Sequence, residues 1–312
     1  MSESFKFKAK LHQAEFKKEV LKIDEMGCIP MNVTNKGTKQ AEIRNVCMPH
    51  FLSEKDARGG LMYFQPYRSE ILRCIDEELN GFNHLRDGNM LRSEHIPLNI
   101  FVPMRNELEQ TKKLMNFFLK EDSVRSVDRI HFKTSGNFGD EMYLNDKTTF
   151  DVRIDFTHQD GEKGCFGVDV KYTESSFLMS ETERMNIFEN KDHRYHQISK
   201  FSEYYQTNNL DELIKEHLSK DDLRPIWRSH LLGASMIKSG EINHFYCLYL
   251  YPAENEPFQK YIPEYQQFLS EKGKKTFIPI IFEDFFAGMK VIFNENDTQK
   301  DWVNYLTNRY LV

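Results

Sequence analysis

None of the five cysteines (Cys28, Cys47, Cys74, Cys165, Cys247) stands in a Cys-x-x-Cys pair. That spacing offers neither a zinc ribbon nor the framework of a small disulfide-stapled domain, and the compartment it suggests is a reducing cytoplasm. Positive charge is not in excess either. The net charge is -6, so contact with nucleic acid has to come from a local patch rather than the whole surface. The opening MSESFKFKAKLHQAEFKKEV has no apolar core of the signal-peptide kind, and no run approaches membrane-spanning length. No membrane partner is expected, and there is no internal repeat or low-complexity linker.

What remains is a chain of 312 residues, 29% charged and 13% aromatic, long enough for a sizeable core with an accessory lobe. Residues 1–95 read as the accessory region and 96–312 as the core domain. In the first part, helices are expected near Leu11–Ile23 and Tyr67–Leu79, with loop and turn over Lys36–Gly60. From Pro103 onward the periodicity predicts a helix (Met104–Lys120), three strands, two helical regions, then β, α, β, α. Ser180 and Glu183 stand at capping-box spacing, and Pro225 suits the first turn of a helix. This order gives a mixed sheet flanked by helices.

The most informative stretch is TTFDVRIDFTHQDGEKGCFGVDVKYTES, Thr148–Ser175. Phe150, Val152, Ile154 and Phe156 alternate with Asp151, Arg153 and Asp155; Phe166, Val168, Val170 and Tyr172 alternate with Gly167, Asp169 and Lys171. Each strand therefore has one apolar and one polar face. Bringing the apolar faces together requires an odd loop, which Gln159–Asp160–Gly161 supplies with Gly161 in the left-handed position; a five-residue loop keeps the parity but could change the partners. His158 then opposes Glu162, and Asp151 opposes Asp169. Gly167, on the polar face, leaves room for an approach to the backbone.

Two carboxylates ~5 Å apart repel by ~3 kcal/mol at an effective dielectric of ~20. A divalent cation turns that repulsion into a site, and oxygen ligands suit Mg²⁺ or Mn²⁺. Lys171 is placed to stabilise charge on a phosphate. Against this, Asp/Glu-x-Lys triplets are common on solvent-facing surface: Glu15-Phe16-Lys17 and Glu189-Asn190-Lys191 match the same pattern.

These residues resemble the core of the PD-(D/E)XK nuclease superfamily, with its restriction-endonuclease-like fold. The GVDVKYTE strand (Gly167–Glu174), WRSHLL (Trp227–Leu232), YLYPAEN (Tyr249–Asn255) and NIFVPM (Asn99–Met104) carry the likeness to a poorly characterised bacterial branch. Asp169 stands where that branch more often has Glu, and Pro225 where it often has Gln. The resemblance implies a mixed β-sheet flanked by helices, Asp151 and Asp169 as metal ligands, the Val170 carbonyl as a further ligand, and Lys171 as the catalytic lysine. It implies a Mg²⁺-dependent (or Mn²⁺-dependent) endonuclease acting on DNA, of a type common in antiphage defence, with a homodimer or a defence-system protein as partner. The rivals are a catalytically idle binding or assembly module on the same fold, and an RNase.

Glu174 is a second-metal ligand or a partner of Arg228, with a strand-end salt bridge the more frequent role for such a residue. Arg228 is a phosphate contact or orients the carboxylates. His230 reads as structural. The fold often draws a glutamate from its first helix, for which Glu107 and Glu109 are available. Asp155 lies ~13 Å along the strand from Asp151 and outside the first shell of ligands. Lys112–Lys113 and Lys272–Lys274–Lys275 are weak candidates for a nucleic-acid backbone.

Overall fold

In a computed structural model of the chain, the described residues are 4–34, 41–132, 142–146, 148–174, 181, 185, 187 and 193–312. The expected capping box at Ser180 and Glu183 lies outside them.

At the centre is a sheet of five strands in spatial order β3 (Val124–Phe132), β4 (Val152–His158), β5 (Lys163–Val170), β6 (His244–Tyr251) and β7 (Phe277–Ile281). The first three run antiparallel, and β5, β6 and β7 run parallel. Parallel neighbours need crossovers. Those here carry helices α5 (Arg194–Ser202) and α6 (Arg224–Lys238) between β5 and β6, and α7 (Glu256–Gln267) and α8 (Glu271–Thr276) between β6 and β7. The expected mixed sheet flanked by helices is the observed architecture.

The β4–β5 ladder pairs Val152 with Val168 and Ile154 with Phe166, the register the alternation predicts. The Gly161 N–H donates to the His158 carbonyl, and the His158 N–H to the Glu162 carbonyl. Gly161 has φ +88°, the left-handed conformation that glycine adopts without a Cβ penalty.

The second face of that hairpin is not a solvent-facing polar surface, as alternation alone suggests. Val152, Ile154, Phe156, Phe166 and Val168 face one core; Cys165, Phe150, Cys247 and Tyr249 belong to a second core on the opposite side. Polar side chains on this second face find partners instead of water: Arg153 pairs with Asp155 and Glu241. Phe150 departs from the expected alternation by turning into the second core, where it stacks on Phe245. A Cβ on Gly167 would lie 2.4 Å from the Phe150 ring. The room beside Gly167 is thus filled by an aromatic side chain, not left for a ligand.

Helices α1 (Phe5–Glu19), α2 (Arg68–Glu78), α3 (His95–Met104), α4 (Leu108–Leu119), α9 (Phe282–Ile292) and α10 (Asp297–Tyr310) contribute to the first core. The helix predicted over Met104–Lys120 is observed as α4, starting at Leu108 rather than Met104, and a separate helix, α3, ends at Met104. NIFVPM is itself helical and buried throughout, and the chain breaks at Arg105–Glu107 before α4 begins. The N-terminal region shares the core of the sheet: Phe5 packs edge-on against Tyr172, whose hydroxyl accepts from the Gln13 amide.

Part of the predicted loop over Lys36–Gly60 is instead a strand, β2 (Ala41–Met48), paired antiparallel with β1 (Gly27–Thr34). Cys28 and Cys47 stand directly opposite one another in that ladder and are joined as a disulfide, a pairing the dispersed spacing did not suggest. Among the described residues, no helix is long and apolar enough to cross a membrane.

Candidate active site at the ends of the central strands

Continuing the β4–β5 register by one residue sets Asp151, just before β4, opposite Asp169 near the end of β5. The Asp151 Oδ2 accepts from the Val170 N–H at 2.9 Å, which ties this carboxylate to the neighbouring strand. Asp169 is buried, at 6% exposure. Lys171 leaves β5 with its N–H bonded to the Leu250 carbonyl, so the parallel ladder to β6 fixes its position. Its Nζ lies 3.3 Å from Asp169 Oδ1 and 3.9 Å from Asp151 Oδ2, and 5.6 Å from the centre of the Tyr249 ring.

Burial would depress the Lys171 ammonium, but Asp169 first, with Tyr249 and Asp151 behind it, holds its pKa well above the usual lysine value. Burial raises the pKa of Asp169, and Asp151 adds to the rise while Lys171 opposes it. The two shifts have different origins: the carboxylates raise the lysine, whereas burial raises Asp169 against the pull of Lys171. Asp169 Oδ2 is buried with no hydrogen-bond partner among the described residues. An orphaned carboxylate oxygen beside a second carboxylate is a donor set suited to a hard divalent cation.

Asp169 and Lys171 open into a cavity of about 220 Å³ lined also by Thr148, Thr149, Arg224, Pro225, Arg228 and Ser229. Pro225 lies in the first turn of α6, where its missing N–H costs nothing. Arg224 and Arg228 stand four apart on α6 and so share a face. Arg228 bonds through Nε and Nη2 to Thr148 Oγ1 and pairs with Asp146 at 3.1 Å. Asp151 borders an adjoining cleft with Glu78, Arg86, Glu94 and Phe132.

The remaining candidates fall out as follows. Glu174 accepts from the Ser93 hydroxyl at 2.6 Å and from the Tyr172 N–H at 2.7 Å; the anticipated strand-end salt bridge is absent among the described residues. Glu107 precedes α4, accepts the Thr111 N–H through its carbonyl, and lies outside both cavities. Glu109 pairs with Lys112. Asp155 is held by Arg153 and His131. His230 is fully buried between the Tyr265 and Thr276 hydroxyls, and burial pushes its pKa down to about 3. Lys272 and Lys274 pair with Glu203 and Glu271 on the surface.

Ser93, Glu94 and Arg224 carry no motif that singles them out, and only the tertiary fold brings them to the site. Asn255 was legible as part of YLYPAEN, but not its work. Its buried amide donates to the carbonyls of Tyr172 and Glu174 and so pins the chain just beyond Lys171.

Among the described residues, the group of His, Asp, Glu or Cys side chains whose ligand atoms converge is His158, Asp160 and His244. These atoms lie within 4.8 Å of one another, a candidate set for divalent-cation binding. The group is remote from Asp151: His158 is at the opposite end of β4, seven residues or roughly 23 Å along the strand.

No curated protein and no solved structure matches the chain. A family profile described as the PD-(D/E)XK nuclease superfamily matches residues 2–312. With that match spanning nearly the whole length, and with the mixed sheet in place, the chain belongs to the PD-(D/E)XK nuclease superfamily.

Proposed function

We propose that the protein is a metal-dependent nuclease that hydrolyses phosphodiester bonds in DNA. The observation that carries this reading is the meeting of Asp151, Asp169 and Lys171 at the strand ends, with Asp169 Oδ2 left without a partner. Asp151, Asp169 and the Val170 carbonyl would hold Mg²⁺ or Mn²⁺. When bound, the ion would supply Lewis acidity and a nucleophile active near neutral pH.

The chain's own residues do the rest. Lys171, kept protonated by its two carboxylate neighbours, offers a fixed positive charge to the oxygen that gains charge at phosphorus. Arg228 is positioned to contact a substrate phosphate from the wall of the same cavity, with Arg224 one helical turn away. Asn255 and Ser93 are positioning residues, acting through the backbone beyond Lys171 and through Glu174. Glu94, bordering Asp151, takes the place of Glu107 as the preferred additional acidic residue. The exposed N-terminal hairpin is the part best placed to select substrate or partner.

The test is cleavage of supercoiled plasmid, linear duplex, single-stranded DNA and RNA with Mg²⁺, Mn²⁺ or EDTA, beside Asp151→Ala and Lys171→Ala. Metal-dependent DNA cleavage lost in both variants supports the reading. RNA cleavage alone would move the substrate. Persistence of cleavage in both variants would remove these residues from the mechanism.

A further inference from the structure

The second cluster, at the far end of the sheet, has a ligand chemistry unlike that of the nuclease site. His158 ends β4, Asp160 lies in the β4–β5 turn, and His244 begins β6. His158 shares the parity of Phe156 along its strand, and His244 that of Tyr246, so both imidazoles leave the same face of the sheet. Strand β5 runs between them with Gly164 opposite His244 in the ladder, and the Phe156 ring lies over that glycine. The two imidazoles stack, with centroids 3.7 Å apart and planes 17° from parallel.

Asp160 closes the cluster. Its Oδ1 lies 3.0 Å from His158 Nδ1 and its Oδ2 2.8 Å from His244 Nε2. The Asp160 backbone N–H also lies 3.3 Å from His158 Nδ1. The backbone beneath is tied down: the Asn243 N–H donates to the Lys163 carbonyl, joining the start of β6 to that of β5. The turn is closed by the bonds around Gly161, and Asp160 Oδ1 also accepts the Glu162 N–H. All three side chains are open to solvent, with 19% exposure at His158, 27% at His244 and 47% at Asp160.

We propose that His158, Asp160 and His244 form a second metal site that takes Zn²⁺ and clamps the β4–β5 turn to the start of β6. Two imidazoles and one carboxylate select a borderline ion over Mg²⁺, which prefers oxygen ligands and keeps much of its water. Three protein ligands leave a coordination position for water or an anion, on the rim of a cleft of about 760 Å³ that His244 lines together with Lys120, Lys272, Lys274 and Lys275.

Calorimetric titration of Zn²⁺ into the EDTA-stripped full chain tests the proposal, beside His244→Ala, Asp160→Asn and Asp151→Ala. Circular dichroism and thermal unfolding of each variant confirm that it is folded, and Asp160→Asn keeps the size of the side chain it replaces. One Zn²⁺ per chain is expected in the parent and in Asp151→Ala, with affinity weakened more than about tenfold in His244→Ala and in Asp160→Asn. Zn²⁺ should raise the unfolding temperature only where it binds. No uptake by the parent, unchanged uptake in folded His244→Ala or Asp160→Asn, or loss in Asp151→Ala alone would overturn it. The last result would assign the ion to the nuclease site, so the two sites are tested separately.

Discussion

The Asn255 side-chain amide donates to the Tyr172 carbonyl across 2.8 Å, joining the loop after β6 to the residue that follows Lys171. Removing it leaves the carbonyls of Tyr172 and Glu174 without that donor in a buried setting, at a cost of about 1–3 kcal/mol. Asn255→Ala is therefore expected to lower the unfolding midpoint and to reduce kcat more than it raises KM. Denaturant unfolding and steady-state cleavage check both. Unchanged kcat in a destabilised variant would leave Asn255 a purely structural role.

Gly167→Ala is expected to be destabilising, because the new methyl would enter the space of the Phe150 ring, 2.4 Å from its nearest atom. Overpacking of this kind costs about 1–3 kcal/mol. Adding Phe150→Leu should recover part of the loss in a double-mutant cycle. Additive effects of the two substitutions would contradict the contact.

Arg228→Lys keeps the charge but loses the planar guanidinium that now bonds Thr148 and Asp146. If Arg228 holds a substrate phosphate, kcat/KM should fall about tenfold or more in Arg228→Lys, and further in Arg228→Ala, for a loss of about 1.4 kcal/mol of transition-state binding. Equal activity in all three proteins would remove Arg228 from the substrate path.

Acid stability should depend on three buried histidines, of which His50 is held down to about 4 by burial with Lys10 and Lys17 adding to the shift. Burial holds His230 at about 3 and His95 at about 4 in the folded chain, below the usual histidine value of about 6.5. Between pH 6.5 and about 4 the unfolded chain binds more protons at these positions, so stability falls as pH falls. Each contributes up to about 1.4 kcal/mol per pH unit. The contribution is fully present above 6.5 and is lost on acidification through that window. His230→Gln should lower stability at pH 7, where it disturbs the bonds to Tyr265 and Thr276, but flatten the slope between pH 6.5 and 4. Unfolding free energies across that range measure the slope directly.

The β4–β5 register was readable because two independent signals agree: side-chain alternation fixes the parity, and Gly161 fixes the turn. Asp151, Asp169 and Lys171 could be named for the same reason, since their meeting is a consequence of local pairing. What escaped was decided by distant contacts. Arg153 and Asp155 look solvent-facing in one dimension, yet their partners Glu241 and His131 arrive from elsewhere in the chain. Gly167 signals a close approach without saying whether a ligand or Phe150 makes it. Strands β1 and β2 are largely exposed, so they carry no strong amphipathic pattern to find. Glu94 borders the cleft beside Asp151 and Glu107 does not, a difference that only the tertiary fold decides. His244 lies 84 positions after Asp160, and only the parallel β5–β6 pairing reveals that they touch.

Asp169→Asn gives the most direct measurement of the central claim, that two carboxylates are held together at the strand ends to bind a cation. Unfolding would be followed for the parent and for this variant, each with EDTA and with Mn²⁺. The amide removes one of two opposed charges and leaves Lys171 facing Asp151. Without metal the variant should be as stable as the parent or more so, by up to about 1–2 kcal/mol. Mn²⁺ should stabilise the parent in proportion to its occupancy and the variant far less, while cleavage is lost. A variant clearly less stable in EDTA, or one that gains as much from Mn²⁺ as the parent, would contradict the account.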